Sequence, residues 1–210
     1  MSEVSLKARV MMPSIVDTTS IDDQQFLIPG CHSWQQFKTL QRWVENIPGL
    51  RVSYVDGYIQ LMTASKQHQR IKKFIAILLE VYFFEMEIPF FPAGNATCEA
   101  DERGASFSPD ESYCLEEDKD YPDLAIEVAL TSGGVEKLEK YRRFEIPEVW
   151  FWQNDRLWVY VLRSDLTGYD RIEHSQLLPN LDLSLLEECL QMTDILSARR
   201  QFLHRYRQNK

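Results

Sequence analysis

Hydrophobic residues along this chain recur at two spacings, and each spacing predicts one kind of element. Apolar positions three or four residues apart predict helices, whereas alternating apolar positions predict strands. The helices predicted in this way cover 33–47, 66–87, 135–144 and 193–207. The predicted strands are the hairpins 51–62 and 148–162 and the stretches 108–115, 121–130 and 169–174. This order of elements predicts an α/β fold in which one mixed sheet carries helices on its faces.

The strand predicted at 121–130, YPDLAIEVAL, carries charge on one of its two faces. Its apolar face consists of Leu124, Ile126, Val128 and Leu130. Its other face consists of Asp123, Ala125, Glu127 and Ala129. Residues four apart on a strand lie roughly 13 Å from each other, so Asp123 and Glu127 are not a close carboxylate pair. A buried carboxylate is costly unless it is paired, protonated or bound to a metal. The small alanines beside Glu127 therefore favour a cation site over a packed core.

A cation site at Glu127 needs further groups, and the neighbouring elements supply candidates. Asp110 follows a proline on the preceding strand, and Lys137 and Lys140 lie on the following helix, facing different directions. Two carboxylates that hold Mg²⁺ beside a lysine are suited to phosphodiester hydrolysis, because the metal polarises the phosphate and lowers the pKa of a water. The lysine would position that water or neutralise charge that develops on the phosphate.

The chain length of 210 residues suits one domain, predicted at 31–210 after a loose polar arm at 1–30. The net charge of −9 argues against attraction to nucleic acid over the whole surface. Any contact with DNA must therefore come from a local basic patch, a bound cation, or both.

The four cysteines are scattered and form no CxxC pair, so a zinc site is not expected. The first twenty residues have no signal-peptide pattern, and the longest apolar run, FIAILLEVYFF, is interrupted by Glu80 and too short to span a bilayer. These features predict a soluble cytoplasmic protein with reduced thiols and no membrane contact, rather than a secreted disulfide scaffold.

Three stretches of the sequence resemble a known family. They are SPDESY, YVDGYIQLMTASKQHQRI and, most specifically, YPDLAIEVALTSGGVEKLEKYRRFEIPEVWFW. They are similar to the Uma-type endonucleases of bacteria, within the PD-(D/E)xK restriction-endonuclease-like superfamily, from about Ser33 to the C-terminus. The resemblance implies a restriction-endonuclease-like core with a mixed central sheet flanked by helices, a Mg²⁺ cofactor that Mn²⁺ could replace, a DNA substrate and a homodimer.

The resemblance also implies roles for individual residues. Asp110 matches the first metal ligand, Glu127 the second, and the backbone carbonyl of Val128 the third. The superfamily lysine would stand at Ala129, and in this branch it has moved to the next helix, where Lys137 matches it. His68 matches a recurrent family position, whereas Gly133-Gly134 replace an acidic residue that many relatives carry.

Each of these residues also has a structural interpretation. Glu127 would then be a salt-bridged structural carboxylate, Lys137 an exposed helix lysine, and His68 a surface or helix-start histidine. Asp123, in a second Pro-Asp pair, would form hydrogen bonds with local backbone. The ExK sequence at 117–119 is rejected as the motif of the metal site, because it lies in a charged loop without an apolar strand to position it. Ordinary structural roles are also expected for two further groups: Trp150, Trp152 and Trp158 in the core or a dimer contact, and the basic residues Arg199 to Lys210 on a solvated helix face.

The leading hypothesis is a Mg²⁺-dependent DNA endonuclease that uses Asp110, Glu127 and Lys137. The second is a non-catalytic binding or regulatory protein that keeps the nuclease scaffold, which the acidic surface and Gly133-Gly134 favour mildly. A third is a nuclease that acts on RNA or branched DNA. No groove-reading helix is recognisable, so the sequence predicts no target site.

Overall fold

The computed structural model describes residues 23–130 and 137–207. The helices in these ranges are α1 (Trp34–Val44), α2 (Lys66–Glu85), α3 (Leu138–Arg143), α4 (Leu183–Leu190) and α5 (Ile195–Arg207). The strands are β1 (Gln24–Ile28), β2 (Leu50–Val55), β3 (Tyr58–Thr63), β4 (Phe90–Pro92), β5 (Cys98–Ala100), β6 (Ala105–Phe107), β7 (Glu111–Leu115), β8 (Leu124–Val128), β9 (Glu148–Gln153), β10 (Arg156–Leu162) and β11 (Tyr169–Ile172). The predicted α/β class is therefore confirmed.

Two sheets form where one was predicted. The first has the order β1-β3-β2-β6-β5 and is antiparallel throughout. The second has the order β11-β10-β9-β8-β7-β4 and is mixed, because β8 and β9 run parallel while its other pairs run antiparallel. The chain passes from β6 in one sheet to β7 in the other through residues 108–110. Pro109 has no N–H to donate to a ladder, which suits it to this crossing. Asp110 consequently lies at the junction of the two sheets.

Strand β8 is buried on both faces, as a central strand followed by a parallel partner should be. Leu124, Ile126 and Val128 pack into the main hydrophobic cluster, which includes residues of α2, α4 and α5. Ala125, on the opposite face, packs into a second cluster with Phe107 and other residues near α3. Glu127 lies on this second face and is 5% exposed. Strand β8 thus places the Glu127 carboxylate in the protein interior, where its neighbour on the same face of the strand is the small residue Ala125.

Helix α2 begins where the sequence predicted and directs its N-terminus toward the same region. The Ser65 hydroxyl accepts from the backbone N–H of His68 at 3.1 Å and caps the helix. The predicted inner stripe of the helix is buried or partly buried in the main cluster: Ile71, Phe74, Ile75, Leu78, Leu79 and Tyr82. This packing fixes the position of His68, in the first turn.

Part of the predicted N-terminal arm is ordered: Gln24–Ile28 form β1, which pairs with β3. Four of its five residues are exposed, so the strand has no alternation from which it could have been predicted. The short strands β4, β5 and β6 and helix α4 were also not predicted. Residues 1–22 and Gly133-Gly134 lie outside the described residues. Within the described part of the chain, no helix is long and apolar enough to cross a membrane.

Candidate active site

Asp110 is held at the sheet junction by groups from three elements. Arg51 Nη1, on β2, donates to Asp110 Oδ1 at 2.6 Å. The backbone N–H of Val128, at the end of β8, donates to Oδ2 at 2.8 Å. His68 Nε2, on α2, lies 2.9 Å from Oδ1. Burial alone would raise the pKa of this carboxyl, but His68, Arg51 and the Val128 N–H outweigh it and hold the pKa well below its ordinary value. Asp110 is therefore ionised at neutral pH although it is 2% exposed.

Glu127 is surrounded by hydrogen-bond donors from helix α3 and from Lys137, the residue that precedes this helix. Its Oε1 accepts from Lys140 Nζ at 2.9 Å and from the Tyr141 hydroxyl at 2.5 Å. Lys137 Nζ lies 3.4 Å from the other oxygen, Oε2. Burial opposes ionisation, but the charges of Lys137 and Lys140 outweigh it and lower the pKa of Glu127. Glu127 is therefore an ion-paired carboxylate with one oxygen saturated by the protein and the other less engaged.

The two lysines that contact Glu127 have different surroundings. Lys140 Nζ is buried and lies 4.6 Å from the centre of the Phe107 ring and 5.0 Å from that of Tyr141. Lys137 lines the cavity described below, and its side chain is 17% exposed. Its pKa is raised chiefly by the charge of Glu127. Lys140 thus compensates a buried charge, whereas Lys137 can reach a molecule that enters the cavity.

His68 is part of this cluster and not a surface histidine. It is 7% exposed, and its Nδ1 lies 2.7 Å from Asp23 Oδ2. Burial lowers the pKa of His68, but the Asp110 and Asp23 carboxylates outweigh that effect and raise it. Asp23 precedes β1, and its Oδ1 also accepts the backbone N–H of Ser65 at 2.7 Å. The segment before β1 therefore contributes directly to the site.

One cavity of about 30 Å³ brings these groups together. Its lining includes all the site residues predicted from the sequence: Asp110, Glu127, Val128, Lys137 and His68. Among the described residues that line this cavity, Thr63 Oγ1 is buried without a hydrogen-bond partner, and His68 Nε2 has the Asp110 ion pair at 2.9 Å but no well-aligned hydrogen bond. A space large enough for a water or a small cation, with unsatisfied polar atoms around it, suits a polar occupant.

The donor set is compatible with Mg²⁺ or Mn²⁺. Glu127 Oε2 accepts one long hydrogen bond, from Lys137 at 3.4 Å. Each Asp110 oxygen has two lone pairs, of which Arg51 uses one on Oδ1 and the Val128 N–H uses one on Oδ2. In the described ranges, no group of three or more His, Cys, Asp or Glu side chains is arranged to hold a metal ion. Carboxylate oxygens, a backbone carbonyl and water, which Mg²⁺ commonly keeps, could complete the coordination of such an ion.

A family comparison matches most of the chain that carries these residues. The sequence model described as "Uma2: Putative restriction endonuclease" matches residues 34–198, well over half of the 210 residues. The chain belongs to the Uma2 family. No curated protein sequence matches it. Membership in the Uma2 family, together with the mixed sheet and its flanking helices, confirms the predicted restriction-endonuclease-like fold. The description of the family supports a nuclease.

Several residues of the Uma2 site were not predicted from the sequence. Arg51 and Tyr141 make the shortest contacts to the two carboxylates, at 2.6 and 2.5 Å, and Asp23 lies before the range that the family comparison matches. Arg51 gave a weak signal, as a cation on the predicted first hairpin. Asp23 gave none, because it stands in a polar segment without periodicity.

The competing motifs fall outside the cavity. Asp123 accepts the Leu115 N–H at 2.8 Å and pairs with Lys119 at 2.9 Å, which agrees with the structural interpretation of this residue. Trp150 and Trp152 are buried in the main cluster, whereas Trp158 is stacked by Arg171 at 4.9 Å. The arginines at 200, 205 and 207 in α5 each lie within 4 Å of an acidic side chain, as a solvated face would. Lys210 lies outside the described residues.

The low pKa of Asp110 makes stability depend on pH. Because folding lowers this pKa below the unfolded value of roughly 3.9, its contribution is full above that value and is lost as the pH falls through the folded value. We expect the free energy of unfolding, measured by urea at about pH 2.5 to 6, to fall on the acid side. The fall should be shallower in Asp110→Asn, whereas Glu117→Gln, in an exposed loop, should follow the unchanged chain. Equal slopes in all three proteins would contradict this assignment.

Proposed function

We propose that this protein is a Mg²⁺-dependent endonuclease that hydrolyses phosphodiester bonds of DNA, with Mn²⁺ as a possible substitute. The observation that carries the proposal is the cavity shared by two ionised, buried carboxylates, Asp110 and Glu127, and a lysine that reaches into it. A pair of carboxylates with depressed pKa in a cleft is a candidate active site on physical grounds. Membership in the Uma2 family supports the same reaction class.

The residues would divide the work as follows. Asp110, Glu127 and the carbonyl of Val128 would hold the ion, which when bound would polarise the phosphate and lower the pKa of an attacking water. Lys137 Nζ, 3.4 Å from Glu127, would position that water or neutralise charge on the phosphate oxygens. Lys140 and Tyr141 would keep Glu127 ionised and fixed in place.

A DNA substrate must approach an acidic protein, and local positive charge near the cavity supports that approach. Arg51 and Lys137 line the cavity. Lys72 lies near Arg51, and burial first and the Arg51 charge second lower the pKa of Lys72. These cations and the bound ion would offset the net charge of −9 where the phosphate enters. A homodimer in the cytoplasm is part of the same proposal, by analogy with similar nucleases.

A non-catalytic relative that keeps the scaffold is the second candidate. The observation that favours it is the internal pairing of both carboxylates: Arg51 and Lys140 already neutralise Asp110 and Glu127 without an added ion. In that case the cluster stabilises the junction of the two sheets and has no turnover.

Metal-dependent cleavage separates the two candidates. We expect nicking of plasmid DNA, or cutting of single-stranded DNA, that requires Mg²⁺ or Mn²⁺ and falls by more than about tenfold in Asp110→Asn, because the amide is a poorer ligand. The matched control is Asp118→Asn, in the exposed loop, which should cleave as the unchanged chain does. Absence of cleavage by the folded protein on any substrate, RNA and branched DNA included, would favour the scaffold candidate. Cleavage that survives Asp110→Asn would place the activity elsewhere.

A further inference from the structure

We propose that the first two turns of helix α2 bind the phosphate backbone of duplex DNA through four cationic side chains, Lys66, Arg70, Lys72 and Lys73. These four residues are called the basic strip. The inference rests on the proposed function, because it concerns how the substrate of that site is held. It gives the basic strip no part in the cleavage step itself.

The first observation is the charge of the segment that carries the basic strip. Its four cations fall within eight residues, and no acidic residue occurs from Gly57 to Leu79. The whole chain has 32 acidic residues against 23 lysines and arginines, so this segment reverses the balance of the protein. The side chains of Lys66, Arg70 and Lys73 are exposed, and that of Lys72 is half-buried. The segment is therefore a local positive surface on an acidic protein.

The second observation is that the energetics of the helix disfavours this arrangement. The first turn of a helix carries partial positive charge on its unpaired N–H groups, so carboxylates stabilise it and cations do not. The first turn of α2 contains no acidic residue. Lys66 and Arg70 are four positions apart, and Arg70 and Lys73 are three apart, so like charges lie beside one another along the helix. Helix stability therefore does not explain the basic strip.

The third observation is that the basic strip has little to neutralise it within the protein. Among the described residues, none of its members forms an ion pair within 4 Å, and Arg70 Nη2 makes a long hydrogen bond of 3.4 Å to the Thr193 carbonyl. The carboxylates whose charge acts on Lys72, those of Asp110 and Glu111, are buried. Helix α5 shows the contrasting arrangement, since its arginines at 200, 205 and 207 each lie within 4 Å of an acidic side chain. A charged surface that breaks local rules without compensation is typical of a functional surface.

The fourth observation is the position of the basic strip beside the candidate active site. Lys72 follows His68 by one helical turn and shares its face of α2, and His68 lines the cavity. Burial chiefly lowers the pKa of Lys72, and the charges of Arg51 and Lys73 add to this effect, so the three cations lie near one another. Arg51 also lines the cavity. Positive charge thus continues from the cavity onto the outer surface of the helix.

The length of the basic strip fits a nucleic-acid backbone. Lys66 and Lys73 are seven positions apart, which is roughly 10 Å along the helix axis. Each strand of B-DNA presents one phosphate per roughly 3.4 Å of its axis, so the basic strip can face about two or three successive phosphates of one strand. Contacts to phosphates position a duplex and read no bases. We therefore expect binding of similar strength to duplexes of unrelated sequence.

The salt dependence of DNA binding in the absence of metal tests the basic strip separately from cleavage. The probe is a fluorescein-labelled duplex of about 20 bp, titrated with protein in EDTA at roughly 50 to 200 mM NaCl and followed by fluorescence anisotropy. In Lys66→Gln/Lys73→Gln, the slope of log K against log salt concentration should become shallower by about 1.8, because each phosphate contact contributes about 0.9. Affinity at roughly 0.1 M salt should fall about 10- to 100-fold, by the same factor for two unrelated sequences.

A matched variant controls for the loss of two charges. Arg163→Gln/Arg171→Gln removes two exposed cations at the β11 edge of the second sheet and should keep the slope and affinity of the unchanged chain. The free energy of unfolding, measured by urea, should not fall in Lys66→Gln/Lys73→Gln, because the two lysines are exposed and unpaired. A fall in stability with unchanged DNA binding would give these lysines a structural role and overturn the inference.

The remaining outcomes separate this inference from the proposed function. An unchanged slope in Lys66→Gln/Lys73→Gln, or an equal change in the control, overturns the basic strip and leaves metal-dependent cleavage intact. Absence of duplex binding by the unaltered protein at roughly 50 mM salt overturns it too. A change in the mass of the protein in solution, with DNA binding unaltered, would assign the basic strip to a contact between two copies of the chain instead. Binding that depends on the basic strip, in a protein that cleaves no substrate, would support the inference and favour the scaffold candidate over the nuclease.

Discussion

Replacing Glu127 by alanine should cost about 3–5 kcal/mol of unfolding free energy, because the change leaves the buried Lys140 ammonium without its partner. Lys140 Nζ is 2.9 Å from Glu127 Oε1 and 4.6 Å from the centre of the Phe107 ring, and its side chain is only 8% exposed. The Tyr141 hydroxyl would lose its acceptor in the same change. Urea denaturation at neutral pH measures the loss.

The double variant Glu127→Ala/Lys140→Met separates this charge effect from the loss of packing. Removing both charges should recover a large part of the lost stability, since the methionine side chain is apolar, similar in length to lysine and able to fill the space beside Phe107. Cleavage should not return, because the proposed metal ligand is still absent. If the double variant is no more stable than Glu127→Ala, the buried pair is not the source of the loss. If it regains cleavage, Glu127 is not a ligand.

The positions of the candidate residues could be predicted from the sequence where local pattern and chain order determine the structure. The alternation at 121–130 fixes the face on which Glu127 lies, and the proline before Asp110 marks the crossing that brings it to the end of β8. The cap at Ser65 and the apolar stripe of α2 fix the first turn of that helix. These are short-range properties, and periodicity reports them directly.

The parts that were not predicted depend on contacts between segments far apart in the chain. Asp23 reaches His68 across 45 positions, and Arg51 reaches Asp110 across 59. The division into two sheets depends on β6, three residues long, which pairs with β2 at Tyr54 and Val55. Such strands are too short for a periodic signal, and a single sequence carries no record of which distant segments they pair with. A buried ion-pair network is for that reason visible only once the fold is known.

Lys140 and Lys137 illustrate the limit most directly, since both stand near Glu127 and differ only in what surrounds them. Helical spacing puts them three positions apart and cannot say which one is enclosed. The short helix α3 buries Lys140 between Phe107 and Tyr141 and leaves Lys137, the residue before the helix, at the cavity. The family resemblance alone favoured Lys137, and the surroundings of the two lysines now give that choice a physical basis to test.

Replacing Lys137 by methionine should lower the cleavage rate about 10²- to 10³-fold, the range found when one charge-stabilising donor is removed from an active site. Stability should fall less than in Lys140→Met, because the contact of Lys137 with Glu127 is longer, at 3.4 Å against 2.9 Å, and its side chain is more exposed, at 17% against 8%. In the matched variant Lys140→Met, the free energy of unfolding should fall clearly, because Glu127 loses its closest cation. Cleavage rates at saturating Mn²⁺ and urea denaturation, measured on both variants, separate the two lysines.

Lys137→Met that cleaves at the unchanged rate, beside a folded Lys140→Met that does not cleave, would transfer the proposed role to Lys140. A rate restored in Lys137→Arg would show that positive charge at the cavity, and not proton transfer by the amine, is what the reaction requires, since arginine keeps its proton at any working pH.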